Sequence, residues 1–199
     1  GRQAELSLMT ALLERCIASA LAQTYTRVQV LVSDNASIDG TEDFCLAYAA
    51  RDSRLRYFRQ PENVGATRNF LTLRAMAEAP LYMCLADDDW IDPDFVRRCV
   101  AALRADLSLV VAGARARYDD GREPSEGLPV SCTSRIALAR VLSYYRQVAD
   151  NTIFYGVVRH EMVRRIDVIN TIGGDWLYMA ALAAHGGIRT VDGVFLHRE

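Results

Sequence analysis

The sequence predicts an α/β fold, a three-layer α/β/α sandwich whose central sheet has mixed, mostly parallel strands. Short apolar runs alternate with segments of helical periodicity along the first half of the chain, which is the pattern of repeated βα units. The run at residues 28–33, VQVLVS, is rich enough in Val and Leu to be buried on both faces. The length of 199 residues, with 51% hydrophobic residues, fits one domain with a sizeable core.

In the first half of the chain, composition indicates the strands and spacing indicates the helices. Leu13, Ile17 and Leu21 recur at helical intervals. Asp92 followed by Pro93 is typical of a helix start, with Asp92 as the N-cap. The expected strands are residues 6–10, 28–33, 55–58, 81–86 and 107–112. The expected helices are residues 12–23, 41–50, 67–78 and 93–105.

The second half of the chain is less regular and follows a loop at residues 119–129, DDGREPSEGLP. Helices are expected at residues 134–147 and 176–185, and strands at 152–158, 188–191 and 194–197. The prediction is therefore one domain over residues 1–199, with residues 1–118 forming one half and residues 130–199 the other.

The first predicted strand runs into the first predicted helix without a connection. LSLMT is followed directly by ALLERC, although a strand needs a few residues to turn into a helix. Either the strand at residues 6–10 is misread or a loop is missing after Thr10. We favour the missing loop.

The charge composition excludes several classes of chemistry. All 23 basic residues are Arg, so no lysine can form a Schiff base or complete a Walker-type phosphate loop. The net charge of −2 argues against binding nucleic acid through massed phosphate contacts. No apolar run reaches the roughly 18 residues of a membrane span. The five widely spaced cysteines are expected to be free thiols, mostly buried, which favours a reducing, cytoplasmic compartment.

Three adjacent carboxylates, Asp87, Asp88 and Asp89, follow the apolar strand at residues 81–86. Such a cluster repels itself unless it is exposed or neutralised by a cation. Oxygen ligands suit Mg²⁺ or Mn²⁺, which are usually shared with substrate phosphates. The alternative is an acidic turn that caps the next helix. Because Asp92 is expected to supply that cap, we favour a metal and diphosphate site.

Two further polar segments follow predicted strands. Asp34 ends the strand at residues 28–33, where a ligand of an open α/β sheet would lie, and it can accept hydrogen bonds from a base or a ribose. The alternative is an Asx-turn, which we prefer for Asp39 and Thr41. In ENVGATRN, Gly65 permits close approach of the backbone before a helix N-terminus. Arg68 in the same segment could reach a phosphate or a base.

Two residues of the second half carry weaker signals by themselves. Asp175 opens the helix expected from residue 176, and an N-cap is the simpler interpretation. His197 stands beside an apolar run, where a histidine is more often structural than a ligand.

Taken together, these motifs resemble the family-2 glycosyltransferases, which have the GT-A type Rossmann-like fold. The resemblance rests on LAQTY, VLVSDNASIDGT, ENVGATRN and LADDDW, and more loosely on GGDW and the terminal LHR. It implies inverting transfer of a sugar from a nucleotide diphosphate to an acceptor hydroxyl, with Mn²⁺ or Mg²⁺. A UDP-sugar donor, a glycan or lipid-linked acceptor and a role in bacterial surface glycan synthesis are implied in the same way. We expect no nucleic-acid partner. We do expect peripheral association with the inner face of the membrane.

The resemblance also implies roles for individual residues. Asp89 and His197 would bind the metal, and Asp175 would be the catalytic base. Gly156 and Trp176 would lie on the acceptor side. The nucleotide-sugar-binding residues would be Asp34, Asn63, Gly65, Arg68, Asp87 and Asp88.

Three departures from the family pattern stand out. No nucleotide-contacting loop follows residues 6–10, Gly174 replaces the acidic residue that often precedes the base, and the chain stops soon after His197, which suggests a trimmed catalytic domain. Two alternatives therefore stay open. One is a sugar nucleotidyltransferase, and the other is a non-catalytic module that binds nucleotide sugars.

Overall fold

The computed structural model describes residues 2–118, 125–164, 166 and 168–198, with side chains from residue 11 onward. The helices are α1 (Arg2–Leu21), α2 (Thr41–Ala49), α3 (Ala66–Met76), α4 (Phe95–Ala105), α5 (Ala137–Gln147), α6 (His160–Val163) and α7 (Gly174–His185). The strands are β1 (Val30–Asp34), β2 (Leu55–Arg59), β3 (Leu81–Tyr82), β4 (Trp90–Ile91), β5 (Leu109–Tyr118), β6 (Ser125–Glu126), β7 (Ser131–Cys132), β8 (Val157–Arg159) and β9 (Gly187–Arg198). A 3₁₀ turn (Thr152–Tyr155) precedes β8.

The predicted α/β fold with a mixed sheet is confirmed. The strands β1 and β2 form a two-stranded parallel sheet, and the remaining strands form a seven-stranded sheet with the order β3-β8-β5-β9-β4, in which β6 also pairs with β5 and β7 with β9. The two longest ladders, β1–β2 and β5–β9, are parallel, and the short ladders are antiparallel.

Alternating side chains of the central strands supply the cores on the two faces of the large sheet. Val111 and Val158 point into a cluster formed with α5 and α7, whereas Ala112 and Val157 point into a cluster formed with α4. This alternation follows from the two-residue period of a strand. A third cluster joins α1 and α2 to the small sheet. Helices therefore cover both faces of the sheet, as the sequence predicts.

The strand predicted at residues 6–10 is wrong, and so is the loop inferred to be missing after Thr10. The chain runs through this region as the single helix α1. Ala, Leu, Met and Glu favour helix here, and residues 2–39 contain neither Gly nor Pro. The LAQTY motif then ends α1: buried Gln23 donates from Nε2 to the Asp92 carbonyl and accepts at Oε1 from the Val96 amide.

Several predicted boundaries also change. The helix expected from Pro93 begins at Phe95, and Asp92 is not its N-cap, because the Asp92 carboxylate binds elsewhere. The strand expected at 81–86 forms a ladder only at β3, and the strand expected at 152–158 is a 3₁₀ turn followed by β8. The two strands expected after residue 187 are one, β9. Most of the loop predicted at 119–129 (residues 119–124) lies outside the described residues.

The strand β9 carries an irregularity that sets the position of its last residues. Gly113 of β5 pairs with Thr190, but Arg115 pairs with Phe195, so β9 carries extra residues between two regular stretches. Gly193, at φ 75°, lies in this bulge.

All five cysteines are free, and four of them are buried, as the sequence predicts. None of the described helices combines the length and the apolar character that crossing a membrane requires.

Candidate functional site

Asp34 is the last residue of β1, and its side chain is completely buried. Its Oδ1 accepts from the Ser37 amide at 2.7 Å, and its Oδ2 accepts from the Tyr57 hydroxyl and the Arg59 guanidinium, both at 2.6 Å. Burial alone would raise the pKa of Asp34, but these hydrogen bonds and the charge of Arg59 outweigh it and hold the pKa below its usual value. No part of the Asp34 side chain is exposed in this structure. Contact of Asp34 with a nucleobase therefore stays a prediction.

Tyr57 and Arg59 are residues that sequence reasoning missed. They lie two positions apart on β2, so they project from the same face of the strand, beside the Asp34 side chain. A signal was present in the sequence, because Tyr57 and Arg59 place two hydrogen-bond donors at this spacing at the end of a predicted strand.

The segment that precedes α3 is held against β1 by amide side chains. Asn35 accepts from the Val64 amide at 2.9 Å and donates to Asn63 Oδ1 at 3.0 Å, which in turn accepts from the Gly65 amide at 3.0 Å. Gly65 has a φ of 82°, and no side chain caps the helix that follows. An open cavity of about 440 Å³ lies here, lined by Arg68 with its neighbours and by Asn170. The structure thus brings Asn63, Gly65 and Arg68 together.

The three acidic residues divide into two exposed and one buried. Asp87 and Asp88 are exposed, whereas only 3% of Asp89 is exposed. Oδ1 of Asp89 lies 3.4 Å from Arg198 Nε, and its Oδ2 is buried without a hydrogen-bond partner in the described part of the chain. Burial raises the pKa of Asp89 to about 6, with Arg198 opposing the shift and the charge of Asp88 adding to it. Such an unpaired buried carboxylate oxygen attracts a cation.

His197 lies next to this group but is engaged by another residue. It pairs with Trp90 across β4 and β9, and its ring stacks on the Trp90 ring with centroids 5.1 Å apart. Its Nε2 is 2.8 Å from Asp92 Oδ1, while Asp92 Oδ2 accepts from the Phe195 amide. The residue of β9 that contacts Asp89 is therefore Arg198, which the sequence analysis did not single out. In the part of the chain that the structure describes, no three Cys, His, Asp or Glu side chains form a ready-made metal cage.

Asp175 is not an N-cap. It is the second residue of α7, whose N-cap position is Gly173, and its Oδ2 accepts from Asn151 Nδ2 at 2.7 Å. The side chain of Asp175 is half-buried, as is that of the adjacent Trp176.

Gly156, predicted on the acceptor side, ends the 3₁₀ turn at a place where its backbone packs on β5. A Cβ atom there would lie 2.9 Å from the Ala112 carbonyl oxygen and 3.1 Å from Gly113 Cα. The glycine therefore permits a close approach of two backbones, and this fixes the turn that carries Asn151 at its start.

A chain of contacts joins the acidic group to Asp175. Arg198, the partner of Asp89, pairs with Tyr118 in the β5–β9 ladder, and the Tyr118 hydroxyl donates to Asp150 Oδ2 at 2.9 Å. The next residue, Asn151, binds Asp175. The two carboxylates are thus linked through one corner of the large sheet, at the end of β5.

Comparison with known proteins identifies the family. The family model described as "Glycosyl transferase family 2" matches residues 10–173. The chain is 29% identical over 179 residues to glycosyltransferase GlyA of Streptococcus pneumoniae, which covers 85% of this chain and 23% of that protein. The chain spans between 20% and 37% of the length of the curated relatives that it matches.

Solved structures show the same fold. TarS of S. aureus (residues 1–349) in complex with UDP-GlcNAc matches with a TM-score of 0.70 and 17% identity, over 93% of this chain and 54% of that chain. The mannosyltransferase PcManGT of Pyrobaculum calidifontis, in complex with GDP-Man and Mn²⁺, matches with a TM-score of 0.64 and 16% identity, over 95% of this chain and 53% of that chain. These likenesses confirm the predicted GT-A type fold. Together with the match over residues 10–173, they show that the chain belongs to glycosyl transferase family 2.

Proposed function

We propose that the chain catalyses inverting transfer of a sugar from a nucleotide-diphosphate donor to an acceptor hydroxyl, assisted by a divalent cation. The observation that carries the proposal is the chain of contacts that joins two carboxylates, Asp89 and Asp175, in different environments. Asp89 is buried, and its Oδ2 has no partner among the residues that the structure describes, whereas Asp175 is half-buried and hydrogen-bonded. One environment suits binding of a cation, and the other suits transfer of a proton to a carboxylate that solvent and substrate can reach.

The donor set at the acidic group fits Mg²⁺ or Mn²⁺. Both ions prefer oxygen ligands, and Mg²⁺ sites commonly use one or two carboxylates and complete their coordination with water and substrate phosphates. Asp89 would hold the cation through its unpaired Oδ2, with Asp87 and Asp88 exposed beside it. His197 stays in the proposed set through its position on β9, although Asp92 holds its Nε2. When bound, the cation would act as a Lewis acid toward the leaving diphosphate.

The chain's own residues would perform the proton transfer and orient the substrates. Asp175 would take the proton of the acceptor hydroxyl while that oxygen bonds to the anomeric carbon. The bond from that carbon to the diphosphate oxygen would break, and its electron pair would leave with the nucleoside diphosphate. Attack from the side opposite the leaving group inverts the anomeric configuration. Asn63, Gly65 and Arg68 would bind the donor beside α3, and Trp176 would flank the acceptor.

The nature of the substrates is part of the proposal. We propose a UDP-sugar donor, in line with the UDP-GlcNAc bound by TarS, and a glycan or lipid-linked acceptor of bacterial surface glycan synthesis. GDP-Man, bound by PcManGT, is the donor to compare with it. The proposed place of action is the cytoplasmic face of the membrane, which fits the five free thiols.

A donor panel tests the proposal. UDP-GlcNAc, UDP-Glc, UDP-Gal and GDP-Man would be incubated with the protein, Mn²⁺ and simple sugar acceptors, and release of nucleoside diphosphate would be measured with and without EDTA. We expect release from one donor, inhibited by EDTA and lost in Asp89→Asn, and a product of inverted configuration by NMR. Formation of pyrophosphate from a sugar phosphate and a nucleoside triphosphate would instead favour a nucleotidyltransferase. Tight binding without release would favour a non-catalytic module.

A further inference from the structure

A line of buried polar groups leads from the core to Asp175. The Tyr144 hydroxyl donates to Asn151 Oδ1 at 2.7 Å, and Asn151 Nδ2 donates to Asp175 Oδ2 at 2.7 Å. Tyr144 is completely buried on α5, and Asn151 is 4% exposed. Buried polar side chains of this kind need hydrogen-bond partners. Here the partner of Tyr144 is Asn151, and Asn151 in turn binds Asp175.

Asp175, the last residue of this series, fixes which atoms donate and which accept in both hydrogen bonds. An ionised carboxylate only accepts, so it must face the amide NH₂ group of Asn151 and not its oxygen. The amide oxygen then faces Tyr144, whose hydroxyl donates to it. Burial, together with the nearby charge of Asp175, raises the pKa of Tyr144, which keeps this hydroxyl protonated.

Asn151 has a side chain whose direction the local backbone does not explain, although that backbone favours Asn. It precedes the 3₁₀ turn in a left-handed conformation, with φ 51° and ψ 24°. An Asn in this position usually turns its side chain to the following amides. In this protein Asp150 does so, accepting from the Thr152 amide at 3.0 Å, and the Asn151 side chain reaches across to α7. An uncommon backbone conformation is thus combined with a long-range side-chain contact to the proposed base.

We propose that Asn151 and Tyr144 are positioning residues, which hold the Asp175 carboxylate in the orientation that accepts the proton of the acceptor. Asn151 presents one donor to Oδ2, which leaves Oδ1 for the acceptor hydroxyl. Tyr144 prevents the Asn151 amide from rotating by 180°, a rotation that would place its oxygen against the carboxylate. This inference rests on the proposed function of Asp175 and adds two residues that do not themselves touch the substrate.

The first test needs no substrate. The free energy of unfolding would be measured for Asn151→Gly, Asp175→Ala and the double variant. Glycine suits the left-handed backbone of residue 151, so Asn151→Gly removes the amide without adding strain. We expect the two single effects not to add, because the residues are in contact. Additive effects would overturn the inference, since they would show that the two side chains do not interact.

The second test separates positioning from general structure. With the donor that the panel selects, Asn151→Gly should lower kcat by about 10- to 100-fold and leave the donor KM within about twofold, and Tyr144→Phe should lower kcat by a smaller factor. Tyr145→Phe, a matched change at the exposed neighbour, should have no effect. Tyr144→Phe should also have no further effect in an Asn151→Gly background.

The outcomes distinguish the inference from the function on which it rests. If Asp175→Asn keeps wild-type turnover, or if no donor is turned over, the proposed function fails. If Asp175→Asn abolishes turnover while Asn151→Gly and Tyr144→Phe leave kcat unchanged, only the inference fails.

Discussion

Nε of Arg198 lies 3.4 Å from Oδ1 of Asp89, a carboxylate that is almost completely buried and whose Oδ2 has no hydrogen-bond partner among the described residues. The distance exceeds that of a good N–H···O hydrogen bond. A buried charge that is so weakly paired destabilises the folded chain unless another cation or a proton arrives. The pair therefore predicts how stability and cation binding depend on pH.

Replacing Asp89 by Asn should stabilise the ligand-free protein at neutral pH. The folded-state pKa of about 6 exceeds the ordinary 3.8, so the stability linked to this group is complete below pH 4 and is lost as the pH rises through 6. The gap between the two values corresponds to about 3 kcal/mol. Asp89→Asn should therefore raise Tm by several degrees at pH 7.5, and the difference should vanish near pH 4. Asp88→Asn, at an exposed position, is the control and should change Tm little.

Binding of Mn²⁺ should weaken below pH 6. Protons compete with the cation for the Asp89 carboxylate once the pH falls below its raised pKa. Calorimetry with Mn²⁺ and UDP at pH 7.5, 6.0 and 5.0 should show affinity falling over this range in the wild-type protein and little affinity at any pH in Asp89→Asn. An equal loss of affinity in His197→Gln would show that His197 is also a ligand. Affinity that is the same in all three proteins would contradict the metal role.

Removing the charge of Asp175 should nearly abolish transfer and leave binding of the donor unchanged. Asp175→Asn keeps the shape of the side chain but cannot take a proton, and positioned proton transfer is typically worth about 10²- to 10⁴-fold in rate. We expect nucleoside diphosphate release to fall by such a factor, while the affinity for the donor stays within about twofold. Asp192→Asn, on β9, serves as a charge-matched control. Wild-type turnover in Asp175→Asn would remove this residue from the mechanism.

The Tyr57 hydroxyl should stabilise the small sheet more when Asp34 is ionised than when it is protonated. Because the pKa of Asp34 is lowered in the folded state, its contribution to stability is present above pH 4 and is lost as the pH falls through the lowered value. Tyr57→Phe removes one hydrogen bond to this carboxylate and should decrease the free energy of unfolding by about 1–3 kcal/mol at pH 7. Urea unfolding at pH 7 and pH 3 should show a smaller difference at the lower pH. Tyr48→Phe, in the same cluster, should show no such pH dependence.

Adding a methyl group at Gly156 should destabilise the protein and impair turnover. The new Cβ would lie 2.9 Å from the Ala112 carbonyl oxygen, which is backbone and moves only with β5. Such overpacking usually destabilises by about 1–3 kcal/mol. Thermal unfolding of Gly156→Ala should show the loss, and kcat should fall because the displaced turn carries Asn151. A variant with wild-type Tm would show that the turn can move away from β5 without loss.

The sequence predicts local structure best where residue type alone decides it. The apolar strands and the helical spacing of Leu13, Ile17 and Leu21 needed no partner to be recognised. The segment at residues 6–10 was misread because LSLMT is compatible with both a strand and a helix, and its continuity with ALLERC decides between them. Asp92 looked like a helix cap because its real partners, His197 and the Phe195 amide, are about a hundred positions further along the chain.

The sequence predicts those site residues that directly follow a buried strand. It does not predict those that depend on the pairing of two distant strands. Asp34 and Asp89 were found from their place after apolar runs. Arg198, Tyr118 and Asn151 were missed because their meaning depends on the pairing of β5 with β9 and on a turn that contacts α7. No spacing within the sequence indicates the pairing of β5 with β9 or the contact of Asn151 with α7.

The bulge in β9 gives the length of one short segment a chemical role. Residues 191–194 lie between the two regular stretches that pair with β5, and they decide how far the last residues of β9 advance along it. Deleting one residue from this segment, with the pairing upstream unchanged, would move the end of the strand back by one position. The side chains would then change faces, and the residue next to Asp89 would no longer be Arg198. The length of the segment at residues 191–194 therefore determines which side chain of β9 contacts Asp89. We expect natural insertions or deletions in this segment to be accompanied by compensating changes at the acidic group.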